Sequence, residues 1–170
     1  MGYPHGVAEE LALAVVWLTK REVDGLGALV GTTPRESATP GVRVGSDGSG
    51  LLDLLIAEAT TSQDRSAMLQ LEAVDAPILL VGLCGVVAAA NGVVIEIAGH
   101  DAAVSVNGGV AGGDFDATNL GHPGTSVEIS CRIDPEDHDA ASDAAQRADA
   151  ARLFVADDRW RQAEQLAKKT

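Results

Sequence analysis

Three polar residues near the start of the chain have the types needed for acid–base chemistry. His5 lies in a short segment punctuated by Pro4 and two glycines, and Glu9 and Glu10 follow it closely. A histidine and a carboxylate held together in a pocket with little water would supply a general base and a general acid. The alternative is that the glutamates only complement the positive end of a helix while His5 faces solvent.

Oxygen-bearing side chains in a glycine-rich stretch form a second, weaker group. Asp114, Asp116 and Asn119 offer the oxygens that a hard cation prefers, but the spacing of a calcium loop and its terminal glutamate are missing. The glycines themselves are not followed by a lysine and a helix, as a phosphate loop would require. A plain connection between strands is the competing interpretation, and nothing in the sequence indicates a cofactor.

Composition limits the classes of partner. The chain of 170 residues has a formal net charge of -13, which repels phosphate backbones and anionic lipid surfaces. Nucleic acid and membranes are therefore not expected as partners. No apolar run reaches the length of a membrane span and no secretory leader is recognisable, so the expected location is the cytoplasm. Cys84 and Cys131 are expected to be reduced thiols in the core, with a disulfide as the alternative.

The elements that must position these residues begin with a helix starting near Gly6 or Val7. Its next residues up to Leu18 are apolar almost all the way round, so the helix is expected to be enclosed by other elements or by another subunit. Glu9 and Glu10 would lie in its first turn, and the glycine of Asp24-Gly25 would supply a left-handed stop.

The rest of the chain predicts an α+β single domain over residues 1–170, with a largely antiparallel sheet, the enclosed N-terminal helix, a mid-chain apolar helix and a C-terminal helix. Two long loops rich in Gly, Thr, Pro and Asp are predicted over 31–50 and 108–124. The predicted helices and strands are listed in chain order: a helix over 51–60, a strand over 67–74, a helix over 78–90, a hairpin of 93–98 with 102–107, a strand over 125–133, an alanine-rich surface helix up to 151, a short strand over 153–156 and a helix after Asp157 with Trp160, Ala163, Leu166 and Ala167 on one face. For 78–90 a buried strand with a turn is the alternative, because Gly82 and Gly85 weaken a helix.

The chain begins with the glycine- and proline-containing segment from Gly2 to Glu10 and continues with Trp17-Leu18 and Asp24-Gly25. With these residues, the first 25 positions resemble the N-terminal signature of a bacterial family known as domain of unknown function 3726. Members usually have a further helix before the first glycine and an Arg-containing tail, which predicts that this chain is a shortened form. The family implies a fold and no activity.

Two functions are therefore expected. The first is a bacterial, cytoplasmic accessory or small-metabolite-binding domain, acting as a homodimer or with a metabolic enzyme as partner, with the first helix in or beside the interface. The metabolite would bind the loops over 32–50 and 108–116. The alternative is a small-molecule enzyme of hydrolase or lyase type, which would act on a polar acid or amide through His5 with Glu9 or Glu10.

Overall fold

A computed structural model describes residues 5–31, 41–99, 102–107, 110–112 and 122–133. They form four helices and five strands, which are listed in chain order: α1 (His5–Thr19), α2 (Gly25–Gly31), α3 (Val44–Thr61), β1 (Ser66–Val74), α4 (Pro77–Asn91), β2 (Val94–Ala98), β3 (Ala103–Asn107), β4 (Val110–Gly112) and β5 (Thr125–Arg132). This confirms the α+β class. No helix in these ranges is long and apolar enough to cross a membrane.

The strands form one antiparallel sheet in the order β1-β5-β2-β3-β4. The last described strand, β5, therefore lies between β1 and β2. Alternate side chains along the strands are buried on one face of the sheet, as the two-residue period of a strand requires. The buried members of that face are Ala67, Leu71, Val127, Ile129, Cys131, Ile95, Ile97, Val104 and Val106. The intervening residues form the other face and, apart from the buried Val94, are exposed or half-buried; we call it the open face.

The helices form two layers on the covered side of the sheet. α3 packs on β1 and β5, and α4 packs on β2 and β3. α1 and α2 contact α4 on its other side and make little contact with the strands. The central position of α4 explains why its sequence is apolar all round, since it has a sheet on one side and a helix on the other.

The contact between α1 and α4 depends on two glycines of α4. A Cβ at Gly82 would lie 2.8 Å from the carbonyl oxygen of Ala14, and a Cβ at Gly85 would overlap the ring of Trp17. The guanidinium of Arg21 lies over the ring of Trp17, 3.6 Å from the ring centre, in a cation–π contact. The glycines that weakened the helix prediction are thus the residues that let α1 approach.

The predicted helix over 78–90 is confirmed as α4, and its ends have clear physical causes. Pro77 occupies the start, where its missing N–H is not needed. Gly92 ends the helix in the left-handed conformation, with φ of 62°, and donates its N–H to the carbonyl of Ala88. The predicted strands over 67–74 and 125–133 and the hairpin are confirmed as β1, β5 and the β2–β3 pair.

The predicted loop over 31–50 is too long, because α3 begins at Val44. The carboxylate of Asp75 accepts a hydrogen bond from the Val44 N–H (2.9 Å), and Asp47 accepts one from the Arg43 N–H (3.2 Å). These bonds satisfy N–H groups at the helix start that glycine and serine alone would leave exposed. The predicted connection over 108–124 likewise contains a strand, β4, paired with β3.

Two expectations for the N-terminal helix are corrected. α1 begins at His5, so Glu9 and Glu10 lie in its second turn and not in the first. The left-handed residue after the helix is Glu22, with φ of 62°, while Gly25 begins α2. The described residues cover one side of α1 and leave Leu13 54% exposed, and enclosure of the other side by another subunit stays a prediction.

Asp24-Gly25 has a different role from the predicted helix stop. The carboxylate of Asp24 accepts a hydrogen bond from the Gly27 N–H (2.8 Å) and so caps α2. A Cβ at Gly25 would lie 2.9 Å from the Cβ of Leu18, so glycine allows α2 to turn back closely onto α1. The predicted helices and strand beyond residue 133 lie outside the described residues.

Candidate functional site

The structure places the three predicted acid–base residues on α1. His5 is the first residue of the helix, and its side chain lies outside the described part. Glu9 and Glu10 are exposed. Glu10 accepts a hydrogen bond from the hydroxyl of Ser49, which ties α1 to α3. The hydrogen bond between Ser49 and Glu10 gives this exposed carboxylate a structural role, and no catalytic role is required to explain its position.

The weak metal candidates Asp114, Asp116 and Asn119 lie outside the described residues. Among the residues that are described, no group of three His, Cys, Asp or Glu side chains is placed to hold a metal ion.

One concave feature of the described structure is a hollow at one end of the open face. Its volume is about 420 Å³. The lining comes from β1, β2 and β5 and consists of Gln70, Ala98, Gly99, Thr125, Ser126 and Glu128. Two hydroxyls, a carboxamide and a carboxylate thus converge on a space large enough for a small metabolite.

Strand register brings these residues together. Glu128 of β5, which lies between β1 and β2, is paired with Gln70 on one side and with Ala98 on the other. Residues that oppose one another across neighbouring strands point to the same face. The three side chains therefore form one row across the open face, and the small side chain of Ala98 leaves depth beside the longer two.

The end of β1 shapes the rim of the hollow. The pairing of β1 with β5 shifts register between Leu71 and Val74, and Ala73 has a positive φ of 51°. Such a bulge bends the strand and increases its twist. Thr125 starts β5 here, and its hydroxyl donates to the carbonyl of His122 (2.9 Å), which fixes its oxygen at the edge of the hollow.

The charge of the site is negative. Glu128 is the charged residue of the lining, and Glu96 lies on the same face, one pair further along β2. The described lining contains no lysine, arginine or histidine. A carboxylate between hydroxyls and a carboxamide binds hydrogen-bond donors best when the donor is itself charged, as an ammonium group is.

The two cysteines are free and buried in the core. Burial raises the pKa of the Cys84 thiol, and the nearby Cys131 raises it further. Burial likewise raises the pKa of Cys131. Both groups therefore stay protonated at neutral pH, and neither has the thiolate character of a catalytic nucleophile.

Sequence reasoning missed all the residues of the hollow. Alternation along β1 and β5 does place Gln70, Ser126 and Glu128 on the polar face of their strands. The missing information is the strand order, because β5 inserts between β1 and β2 from a distant part of the chain. Without that order, the row of Gln70, Glu128 and Ala98 cannot be recognised.

The family model "Protein of unknown function (DUF3726)" matches residues 1–67, which confirms the resemblance seen in the first 25 residues. The matched segment contains α1, α2 and α3 and ends just after β1 begins. Comparisons with curated proteins and with solved structures gave no significant match. Apart from the first two residues of β1, the sheet and the hollow therefore lie beyond the matched segment.

Proposed function

We propose that this chain, whose first 67 residues match the DUF3726 family, is a bacterial, cytoplasmic domain that binds a small polar metabolite in the hollow of the open face. The observation that supports the proposal is the convergence of Gln70, Thr125, Ser126 and Glu128 on a space of about 420 Å³. Spaces of this size with a few oriented polar groups are typical of small-ligand sites.

The chemistry of the lining favours a ligand with an amine or ammonium group. Glu128 can only accept hydrogen bonds when ionised, so it needs a donor on the ligand. Gln70 both donates and accepts, and the hydroxyls of Thr125 and Ser126 can accept as well. The net charge of -13 attracts a cationic group toward the protein from a distance. An amino acid or a short diamine has these properties.

Binding is favoured over turnover by the same lining. The described wall of the hollow offers one carboxylate, Glu128, and no histidine, cysteine or lysine to act with it as a second proton-transfer group or nucleophile. The enzyme alternative with His5 and Glu9 or Glu10 stays a prediction, and the exposed position of both glutamates gives it no added support.

A thermal-shift titration with amino acids and short diamines tests the proposal, with the corresponding carboxylic acids lacking nitrogen as matched probes. A ligand at about 100 times its Kd stabilises the folded state by roughly 2.7 kcal/mol, which raises Tm by several degrees. Glu128→Gln is expected to abolish the shift, because it removes the charged acceptor. Glu96→Gln is the control, since Glu96 lies on the same face outside the hollow.

Two outcomes would contradict the proposal. One is the absence of any shift across the amine-bearing probes. The other is a shift that survives Glu128→Gln but disappears in Glu96→Gln, which would move the site away from the hollow.

A further inference from the structure

The lining of the hollow follows β5 from Thr125, where the strand begins, to Glu128. These two residues are three positions apart, which is about 10 Å along an extended strand. A short ligand can therefore contact both of them. Its chemistry must then suit the hydrogen-bonding capacity of each.

The hydroxyl of Thr125 can only accept a hydrogen bond from a ligand. Its hydrogen is already donated to the carbonyl of His122 (2.9 Å). The backbone N–H of Thr125 donates to the same carbonyl (3.2 Å), so two hydrogen bonds hold the residue in this arrangement. A hydroxyl has one hydrogen and two lone pairs, so the oxygen of Thr125 has only lone pairs left for a ligand.

The backbone of the lining adds few donors. The Gly99 N–H donates to the Ala102 carbonyl (2.8 Å) across the turn between β2 and β3. Because successive strand residues direct their N–H groups to alternate sides, the Ala98 N–H points toward β5, where its partner is Glu128. The two residues of such a pair exchange both of their backbone hydrogen bonds. Together with Thr125, four of the six lining residues therefore have N–H groups that are already paired.

A ligand carboxylate would find only uncharged donors in the described lining. Those that remain are the Gln70 carboxamide, the Ser126 hydroxyl and the backbone N–H groups of these two residues. Arg132 lies on the same strand and face, but it is four residues from Glu128, which is about 13 Å along the strand. His122 supplies its carbonyl to the turn, and its ring is not part of the described lining.

We propose that the metabolite is an amine that carries no carboxylate and has a second hydrogen-bond donor at its other end, a conclusion that rests on the proposed function. A short diamine or an amino alcohol has this chemistry. The ammonium group contacts Glu128, and the second donor contacts the acceptor oxygen of Thr125. Gln70 and Ser126 can each donate and accept, so they suit either end of the ligand.

The same contacts disfavour an α-amino acid. Its carboxylate is bonded to the carbon that carries the amine, so an ammonium group held by Glu128 brings two carboxylates close together. Like charges at short range repel, and the described lining has no cation to offset the repulsion. The net charge of -13 also attracts a dication from a distance more strongly than a zwitterion without net charge. The hollow therefore selects the amine over the amino acid that has the same side chain.

Isothermal titration calorimetry of the full chain with matched probes tests this selection. 1,4-Diaminobutane and ornithine differ only in the carboxylate beside one amine. The diamine should bind with a Kd that is at least about 10-fold lower. Ornithinamide has an uncharged amide in place of that carboxylate. It should bind more like the diamine than like ornithine, because it keeps the size of ornithine and removes the negative charge.

A variant of Thr125 tests the contact with the second donor. Butan-1-amine lacks the second amine of 1,4-diaminobutane and should bind the unmodified protein more weakly. Thr125→Val keeps the shape of the side chain and removes its oxygen, so the Kd values of these two probes should come within about twofold of each other. Thr125→Ser keeps the hydroxyl and should keep the preference for the diamine. Far-ultraviolet circular dichroism establishes that each variant is folded.

Three results would overturn this ligand class. They are ornithine binding as tightly as 1,4-diaminobutane, ornithinamide binding as weakly as ornithine, and a preference for the diamine over butan-1-amine that Thr125→Val retains in full. The second result would mean that size excludes the amino acid, and not charge. In all three a ligand still binds, so the proposed metabolite site would stand. Binding of none of the amine-bearing probes would instead contradict the proposed function itself.

Discussion

α1 and α4 are both helices of 15 residues, and both are apolar almost all the way round in sequence. Only α4 is enclosed, since it lies between the sheet and α1. α1 buries Leu11, Ala14 and Leu18 against α4 and leaves Leu13 exposed. The difference shows that a helix with apolar residues on all sides need not be a central helix. It can also be an outer helix, with one side that the described residues do not cover.

The largest expected effect comes from a matched pair of leucines. Leu80→Ala in α4 removes a fully buried side chain and should lower the free energy of unfolding by about 2–5 kcal/mol. Leu13→Ala in α1 should change it by less than about 0.5 kcal/mol, because the side chain is mostly in water. Urea denaturation followed by circular dichroism measures both. If Leu80→Ala and Leu13→Ala lowered the free energy of unfolding by similar amounts, α1 would be enclosed as α4 is, and its outer side would be covered in solution.

A smaller effect is expected where the two helices touch. Gly85→Ala would force a methyl group into the Trp17 ring and should destabilise the protein by about 1–3 kcal/mol. Gly50→Ala is the control, because its Cβ would meet nothing within 4 Å in helix α3, and it should stabilise by about 0.5–1 kcal/mol. Combining Gly85→Ala with Trp17→Leu should recover part of the loss. A simple sum of the two single effects would argue against a direct contact.

The smallest effect concerns pH and the enclosed thiol of α4. Burial raises the pKa of Cys84 above the ordinary value of 9.0, so the unfolded chain loses this proton at lower pH than the folded protein does. The contribution of the protonated Cys84 thiol to the free energy of unfolding is complete below pH 9.0. It is lost as pH rises toward the folded-state pKa, at a rate of up to about 1.4 kcal/mol per pH unit.

The free energy of unfolding, measured by urea denaturation at several pH values between neutral pH and pH 10, should therefore decrease less steeply with pH in Cys84→Ala than in the unmodified protein. If the free energy of unfolding changed with pH by the same slope in both proteins, the Cys84 thiol would gain contact with solvent before global unfolding. α1 contains no thiol, so its exposed side offers no comparable titration.

Much of the fold could be predicted because local signals agree with the final structure. Pro77 and Gly92 mark the two ends of α4, and alternation marks β1 and β5. The start of α3 could not be read locally, because the carboxylate that caps it belongs to Asp75, beyond the following strand. Glycine and serine favour a loop locally, and the carboxylate that stabilises the helix start lies 31 residues away from Val44.

The candidate site was less predictable than the fold. The sequence drew attention to His5, Glu9 and Glu10 because of their chemistry, but chemistry alone does not create a concave surface. The hollow depends on the order of three strands and on the bulge near Ala73. Its polar residues look like ordinary solvent-facing positions until β5 is placed between β1 and β2.

The position of β5 between β1 and β2 also sets the order in which the protein can be assembled during synthesis. β1 and the β2–β3 hairpin emerge from the ribosome before β5, and neither can pair with β5 until Thr125–Arg132 has been made. The helices that match the family model are complete much earlier, while the sheet that α3 packs against still lacks β5. The nascent chain therefore carries β1 without its β5 partner while residues 75–124 are made, and closure of the sheet is a late, long-range event.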